Sequence, residues 1–306
     1  MTNRFWPDGI RLACLAAAVH LLGLLPADAQ QSYRSPDDAA SGLAAAIRSG
    51  TKSDILKVLG PDGEDIVESG DDVADKAARE KFLAAYDAKH AVKVTGKRAS
   101  LMLGADDFRF PIPLVQAKEA WEFDTSEGRQ EILYRRIGRN ELDTIQTLLA
   151  FVDAEDEYAD KDRGDGVGVY AQRIVSSPSK KDGLYWPSDN NESPLGELAA
   201  KAAAEGYKED GQPQPYHGYY YRVLTRQGPA APGGAMSYVV KGKMIGGFGL
   251  LAYPADYGNS GVMTLIVNHA GQVYQKNLGE ETEERAKELI AFDPDKTWKK
   301  VDAANN

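Results

Sequence analysis

The chain has 306 residues, with 36 basic and 46 acidic side chains, a formal charge of −10 and 42% apolar residues. That composition fits a folded globular chain and excludes a disordered or multi-spanning membrane one. Net acidity without a long basic run argues against a general nucleic-acid binder, because phosphate binding needs a concentrated basic face.

Arg4 and Arg11 are followed by an apolar run from Leu12 to Leu25 and then by Ala27-Asp28-Ala29. A positive start, a short apolar middle and small residues at the end predict a secretory signal peptide cleaved after Ala29. The run falls short of the about 20 apolar residues of a membrane span, and no later stretch is long enough for one. Cleavage would remove Cys14, the only cysteine. The mature chain would then form no disulfide, thiolate nucleophile or cysteine metal site. The expected location is periplasmic or secreted.

Residues 32–92 read as helical. Ser35-Pro36 is an N-cap followed by proline at the first helical position, with Leu43, Ala46 and Ile47 on one face. Thr51 or Ser53 caps a second helix that Gly60-Pro61 stops. A third helix spans 73–89. Residues 97–137 change character: Ala99–Leu103 reads as a strand, and Phe108–Leu114 alternates but carries two prolines, which demote it to an edge. Trp121–Phe123 and Gln130–Tyr134, separated by residues 125–128, read as a hairpin.

A helix follows at 139–159, with Leu142, Ile145, Leu148, Leu149 and Val152 at helical spacing. Acids crowd its C-terminal end, against the helix dipole. A short alanine-rich helix is expected near 195–205. Beyond it the chain is strand-rich: Tyr219–Thr225, Ser237–Val240, Phe248–Tyr253, Val262–Val267 and Gln272–Gln275, with an end helix over Glu280–Ala291. Val262–Val267 is apolar on both faces, as a central covered strand should be. The fold class is therefore α+β: a signal peptide (1–29), an N-terminal unit of helices plus a small antiparallel sheet (30–138), and a long helix packed on an antiparallel sheet (139–306).

The order of a long helix at 142–158, an acidic glycine-rich loop, Gly218-Tyr219-Tyr220-Tyr221-Arg222-Val223-Leu224-Thr225, Phe248–Pro254, and Gly258-Asn259-Ser260-Gly261 leading into Val262–Val267 resembles the periplasmic part of type IV pilins and type II secretion pseudopilins. The likeness covers residues 140–280. A pilin keeps its apolar N-terminal helix as the fibre core; here the apolar segment ends in Ala-x-Ala, so the resemblance implies a pilin-like module inside a soluble exported protein. Most of 35–301 also resembles a family of exported bacterial proteins classed as a domain of unknown function, through Phe110-Pro111-Ile112-Pro113-Leu114, Arg135-Arg136-Ile137-Gly138-Arg139-Asn140-Glu141 and Gly246-Gly247-Phe248.

Chemistry is sparse in the sequence. His20, His90, His217 and His269 form no zinc-binding pair. Gly258-Asn259-Ser260-Gly261 is a distant echo of a serine-protease nucleophile loop, and it reads more simply as a turn feeding the central strand. Asp160, Asp162 and Asp165 lie in an acidic glycine loop that is a calcium candidate, although the EF-hand pattern breaks at Gly164. Tyr219, Tyr220, Tyr221 and Trp186 form an aromatic zone able to stack on a sugar or peptide if exposed; the simpler reading is that alternate tyrosines face the core and the others decorate the sheet. Gly228–Gly234 lacks the lysine of a phosphate loop.

No catalytic residue and no cofactor other than calcium is expected. The function expected is that of an exported, non-enzymatic envelope protein. It would act through protein–protein contacts, accessory to a pilus or secretion apparatus, with a protein partner in the cell envelope. The alternatives are a periplasmic hydrolase using paired carboxylates and a calcium- or glycan-binding module.

Overall fold

The computed structural model describes residues 30–187, 192–207 and 214–301. The signal-peptide expectation and Cys14 lie outside the described residues. The fold is α+β.

The N-terminal unit begins with α1 (Pro36–Ser49), whose Ser35 hydroxyl accepts from the Asp38 N–H at 3.0 Å. Thr51, rather than Ser53, caps α2 (Lys52–Leu59). A 3-10 turn (Pro61–Gly63) leads to α3 (Glu64–Val67) and α4 (Asp72–Ala88), the last capped by Asp71. The helices pack on a sheet of β1 (His90–Thr95), β2 (Arg98–Leu103), β3 (Phe108–Arg109), β4 (Leu114–Ala117) and β5 (Ala120–Phe123), ordered β1-β2-β4-β5, with β3 paired to β2. Ala39, Leu43, Ile55 and Val58 meet Ala99, Leu114, Trp121 and Phe123 in one core. Residues 90–92 are strand rather than the end of a helical stretch. The β-branched Val92, Val94 and Thr95 run into a two-residue turn, with Gly96 at φ +62° and Thr95 facing Arg98, which is hairpin chemistry.

The largest correction concerns residues 121–134. They do not form a hairpin. β5 pairs with β4 instead, and a single helix, α5 (Thr125–Ala159), runs for 35 residues, about 50 Å at 1.5 Å per residue. Its start is signalled by Asp124, whose carboxylate accepts from the Glu127 N–H. Gly128, which suggested a turn, is a packing glycine. A Cβ there would lie 2.6 Å from the Ile112 Cα. The helix continues unbroken past residue 138 and serves both units.

After α6 (Gly196–Glu205) the chain enters its second sheet through β6 (Tyr219–Leu224). The short strands β7 (Arg226–Gln227), β8 (Met236–Ser237), β9 (Val239–Val240) and β10 (Lys243–Met244) form two small ribbons. β11 (Gly249–Pro254), β12 (Met263–Asn268), β13 (Val273–Asn277) and, after α7 (Thr282–Glu288), β14 (Lys299–Lys300) complete an antiparallel sheet ordered β14-β13-β12-β11-β6. One face packs on the C-terminal half of α5, where Leu148 and Phe151 meet Leu250, Leu265 and Val267. The other is covered by α7 and the chain around Phe292 and Trp298, against Leu251 and Ile266. β12 is thus buried on both sides, as its sequence predicts.

Gly128 and Gly138 sit in the same helix with opposite surroundings, since a Cβ at Gly138 would meet nothing within 4 Å. Gly128→Ala should destabilise the protein by about 1–3 kcal/mol through overpacking. Gly138→Ala should stabilise it by about 0.5–1 kcal/mol through helix propensity. Urea unfolding of the two variants checks this; shifts of the same sign would contradict it.

Candidate functional site

The residues singled out by sequence fall in three places. Asp162 Oδ1 accepts from the N–H groups of Gly164 and Gly166 at 2.8 and 2.9 Å, which draws its carboxyl below the usual aspartate range. Asp165 stands 3.6 Å from Lys243, whose Nζ also donates to the Asp165 carbonyl, and Asp160 is the C-cap of α5. Among the described residues no three His, Cys, Asp or Glu side chains are grouped to hold a metal ion. Tyr219 and Trp186 are buried in the core beneath α5. The Tyr219 hydroxyl donates to the Met263 carbonyl at 3.0 Å, and Tyr221 reaches Thr144. Tyr220 points to the other face and pairs with Tyr253. The four aromatics do not share one exposed platform.

The other chemical candidates are also engaged. Ser260 is fully buried, and its hydroxyl accepts from the Asp256 N–H and donates to the Asp256 carbonyl, so it closes a turn. His90 stacks on Tyr86 with ring centroids 3.8 Å apart. His269 meets Tyr238 and Phe248 edge-on. His217 stands 3.7 Å from both Asp143 and Glu205.

What the structure does bring together is the Arg135–Glu141 stretch of α5 and the Asp256–Gly261 loop before β12. Arg136 donates to the carbonyls of Asp65 and Ile66 at 2.7 and 2.5 Å and to Asn259 Oδ1. Asn259 passes the connection on, its Nδ2 donating to the Glu68 carbonyl and to Asp256 Oδ2, both at 2.8 Å. One turn along α5, Asn140 donates to the Ser260 carbonyl, and Glu141 accepts from the N–H groups of Val262 and Met263. On the flank, the Asp71 carboxylate caps α4 and also accepts from the Tyr207 hydroxyl and the Gly218 N–H, at 2.8 and 2.9 Å. Burial lowers the Arg136 guanidinium and raises the nearby Asp75 carboxyl, each partly offset by the other's charge. These bonds tie the N-terminal unit to the second sheet through the middle of α5.

Above this network lies an open, concave surface. One hollow, about 670 Å³, runs between Pro61–Gly70 and the 256–259 loop. A second, about 630 Å³, continues from it toward α7 and shares Asp65, Arg129, Asp256 and Asn259. Carboxylates dominate both: Asp62, Glu64 and Glu68 at one end, Glu280, Glu283 and Glu284 at the other. Arg129 is the one basic lining residue, and it is paired with Asp65. The surface offers hydrogen-bond acceptors and negative charge to solvent. Its carboxylates make it chemically fitted to receive cationic groups.

Sequence reasoning quoted both arms of this junction without joining them. The usable signal was Arg136, Asn140 and Thr144, polar residues at i, i+4 and i+8 on a helix face where apolar ones were due.

One buried group stands apart. Glu155 is fully buried in α5; Oε2 accepts from the Ala171 N–H at 2.8 Å, while Oε1 has no partner. Burial pushes its carboxyl well above the usual glutamate range, which favours the neutral acid in the folded chain.

The chain belongs to a family of proteins of unknown function, DUF2950, whose profile matches residues 30–301. No curated protein and no solved structure matches it.

Two predictions follow from these buried groups. Arg136→Met strands the carbonyls of residues 65 and 66 and removes the charge beside Asp75. It should cost about 3 kcal/mol in denaturant unfolding, given about 1.5–3 kcal/mol for each hydrogen bond to a charged group; a loss below about 0.5 kcal/mol, the level of an ordinary surface change, would contradict it. For Glu155, the unfolded chain releases the proton once pH passes the ordinary glutamate range, while the folded chain keeps it. Wild-type stability from this group is therefore full below that range and is lost as pH rises toward the raised folded value. Glu155→Gln should match wild type near pH 4 to within about 1 kcal/mol and gain on it steadily toward pH 8. Parallel stability–pH curves would refute the neutral buried acid.

Proposed function

We propose that this is an exported, non-enzymatic protein of the cell envelope that acts through protein contacts, accessory to a pilus or secretion apparatus. The observation that carries this reading is the open, acid-lined concave surface over the junction. Its underlying polar groups are spent on holding the two units together. A broad, charged, shallow surface suits a basic face on another macromolecule, with complementarity setting approach and register. The packing of α5 on an antiparallel sheet is consistent with the resemblance to pilins and pseudopilins, and supports placing the protein beside such an assembly. Export is supported by the signal-peptide pattern. The family match beginning at residue 30, directly after the expected cleavage point, agrees with it.

The test combines fractionation with photo-crosslinking in cells from a probe at Asp62 or Glu280, both exposed at the surface in question. The expected result is mature protein in the envelope fraction and a discrete adduct with a protein partner. Retention in the cytoplasm, or adducts no more frequent than from a probe at exposed Lys93 on β1, would contradict the reading.

A further inference from the structure

One face of α5 is left exposed by the described residues. At 100° per residue, Tyr134, Gly138 and Leu142 lie opposite the side that carries Arg129, Arg136 and Asn140, with Arg135 and Arg139 flanking them. Tyr134 and Leu142 are 67% and 47% exposed, large values for such side chains in a helix interior. Phe108 of β3 is 49% exposed and extends the patch, with the Arg135 guanidinium 5.3 Å from its ring centroid.

Gly138 is the residue that needs explaining. A glycine in a helix interior costs about 1 kcal/mol relative to alanine. Gly128 in the same helix has an internal reason, the close Ile112 backbone, whereas Gly138 faces open space. A side-chain-free position flanked one turn either way by an exposed tyrosine and leucine is what a close approach by another chain uses. The tyrosine, phenylalanine and arginines around it are residue types enriched where proteins bind.

Charge identifies the chain that fits. Arg135 is paired with Glu131, whereas Arg139 is exposed and has no carboxylate partner among the described residues. The same molecule carries an excess of carboxylates on its concave surface, where Asp62, Asp256, Glu280 and Glu284 are exposed and form no ion pair among the described residues. We propose that the Tyr134–Leu142 face of one molecule docks on the acid-lined surface of a second copy. The proposal rests on the protein-contact reading above and names the partner. The two patches are different surfaces of one chain, so the contact is head-to-tail and can repeat into a row rather than close as a symmetric pair.

Sedimentation equilibrium of the purified protein tests this at about 0.15 M salt, where a Debye length of about 8 Å screens the repulsion between two acidic chains but spares contacting charges. Wild type should show a weight-average mass that rises with concentration past that of a dimer. Arg139→Glu and Glu284→Arg, both at exposed positions, should each weaken association by about tenfold or more, the equivalent of 1.4 kcal/mol. An equimolar mixture of the two should regain it, because each reversed surface then meets its reversed counterpart. A wild type that stays monomeric overturns the proposal, as does association that neither reversal moves. If that monomer still cross-links to a different protein from Asp62, the self-docking falls and the protein-contact reading stands.

Discussion

The guanidinium of Arg136 is the constraint on which the arrangement depends. It leaves the middle of α5 and closes on two backbone carbonyls of the N-terminal unit and on Asn259 of the loop before β12. A partly buried cation is held most cheaply when its donors are satisfied and a countercharge is near. Here backbone carbonyls, an amide and the Asp75 carboxyl meet that requirement. Because the partners come from both units, satisfying one side chain fixes their relative placement. Asn140 and Glu141 repeat the device one turn on, against the backbone of residues 260–263.

The same placement creates the concave surface. The Pro61–Gly70 stretch and the 256–259 loop are held at a fixed separation by Arg136 and Asn259 beneath them, and their outward side chains are mostly acids. The interior network and the exterior charge are thus separate in role. Groups under the surface are bonded to each other and give rigidity; on it, Asp65, Glu64, Glu68 and Glu283 are held by Arg129, Lys52 and Lys287, while Asp62, Asp256, Glu280 and Glu284 are exposed and form no ion pair among the described residues. A rigid, preorganised surface loses less entropy on association than a mobile one.

The elements that sequence reading located well are those whose local chemistry agrees with the tertiary result. Ser35 and Thr51 cap the helices they were expected to cap, and the double-sided apolarity of β12 matches its central position. The reading failed where tertiary contacts override local signals. Gly128 resembled a turn residue because its actual purpose, room for the Ile112 backbone, is visible only in the fold. Arg136 and Asn140 stand where apolar residues were due because they answer to polar groups far away in sequence, and Thr144 because it meets the Tyr221 hydroxyl. Alternation along β6 was legible: Tyr219 faces the core and Tyr220 the other side of the sheet, where it meets Tyr253, and Trp186 is buried as well. The acidic surface was illegible, since its residues come from four separated stretches.

Through α5 and its polar clasp the two units should unfold as one cooperative structure. Native-state hydrogen exchange measures this directly, through the opening free energies of amides in β2 and β12 followed against denaturant. The slowest amides of both sheets should converge on the same global free energy and the same dependence on denaturant. Should the β2 amides open several kcal/mol below those of β12, with a smaller denaturant dependence, the units would be independent and the clasp a surface contact.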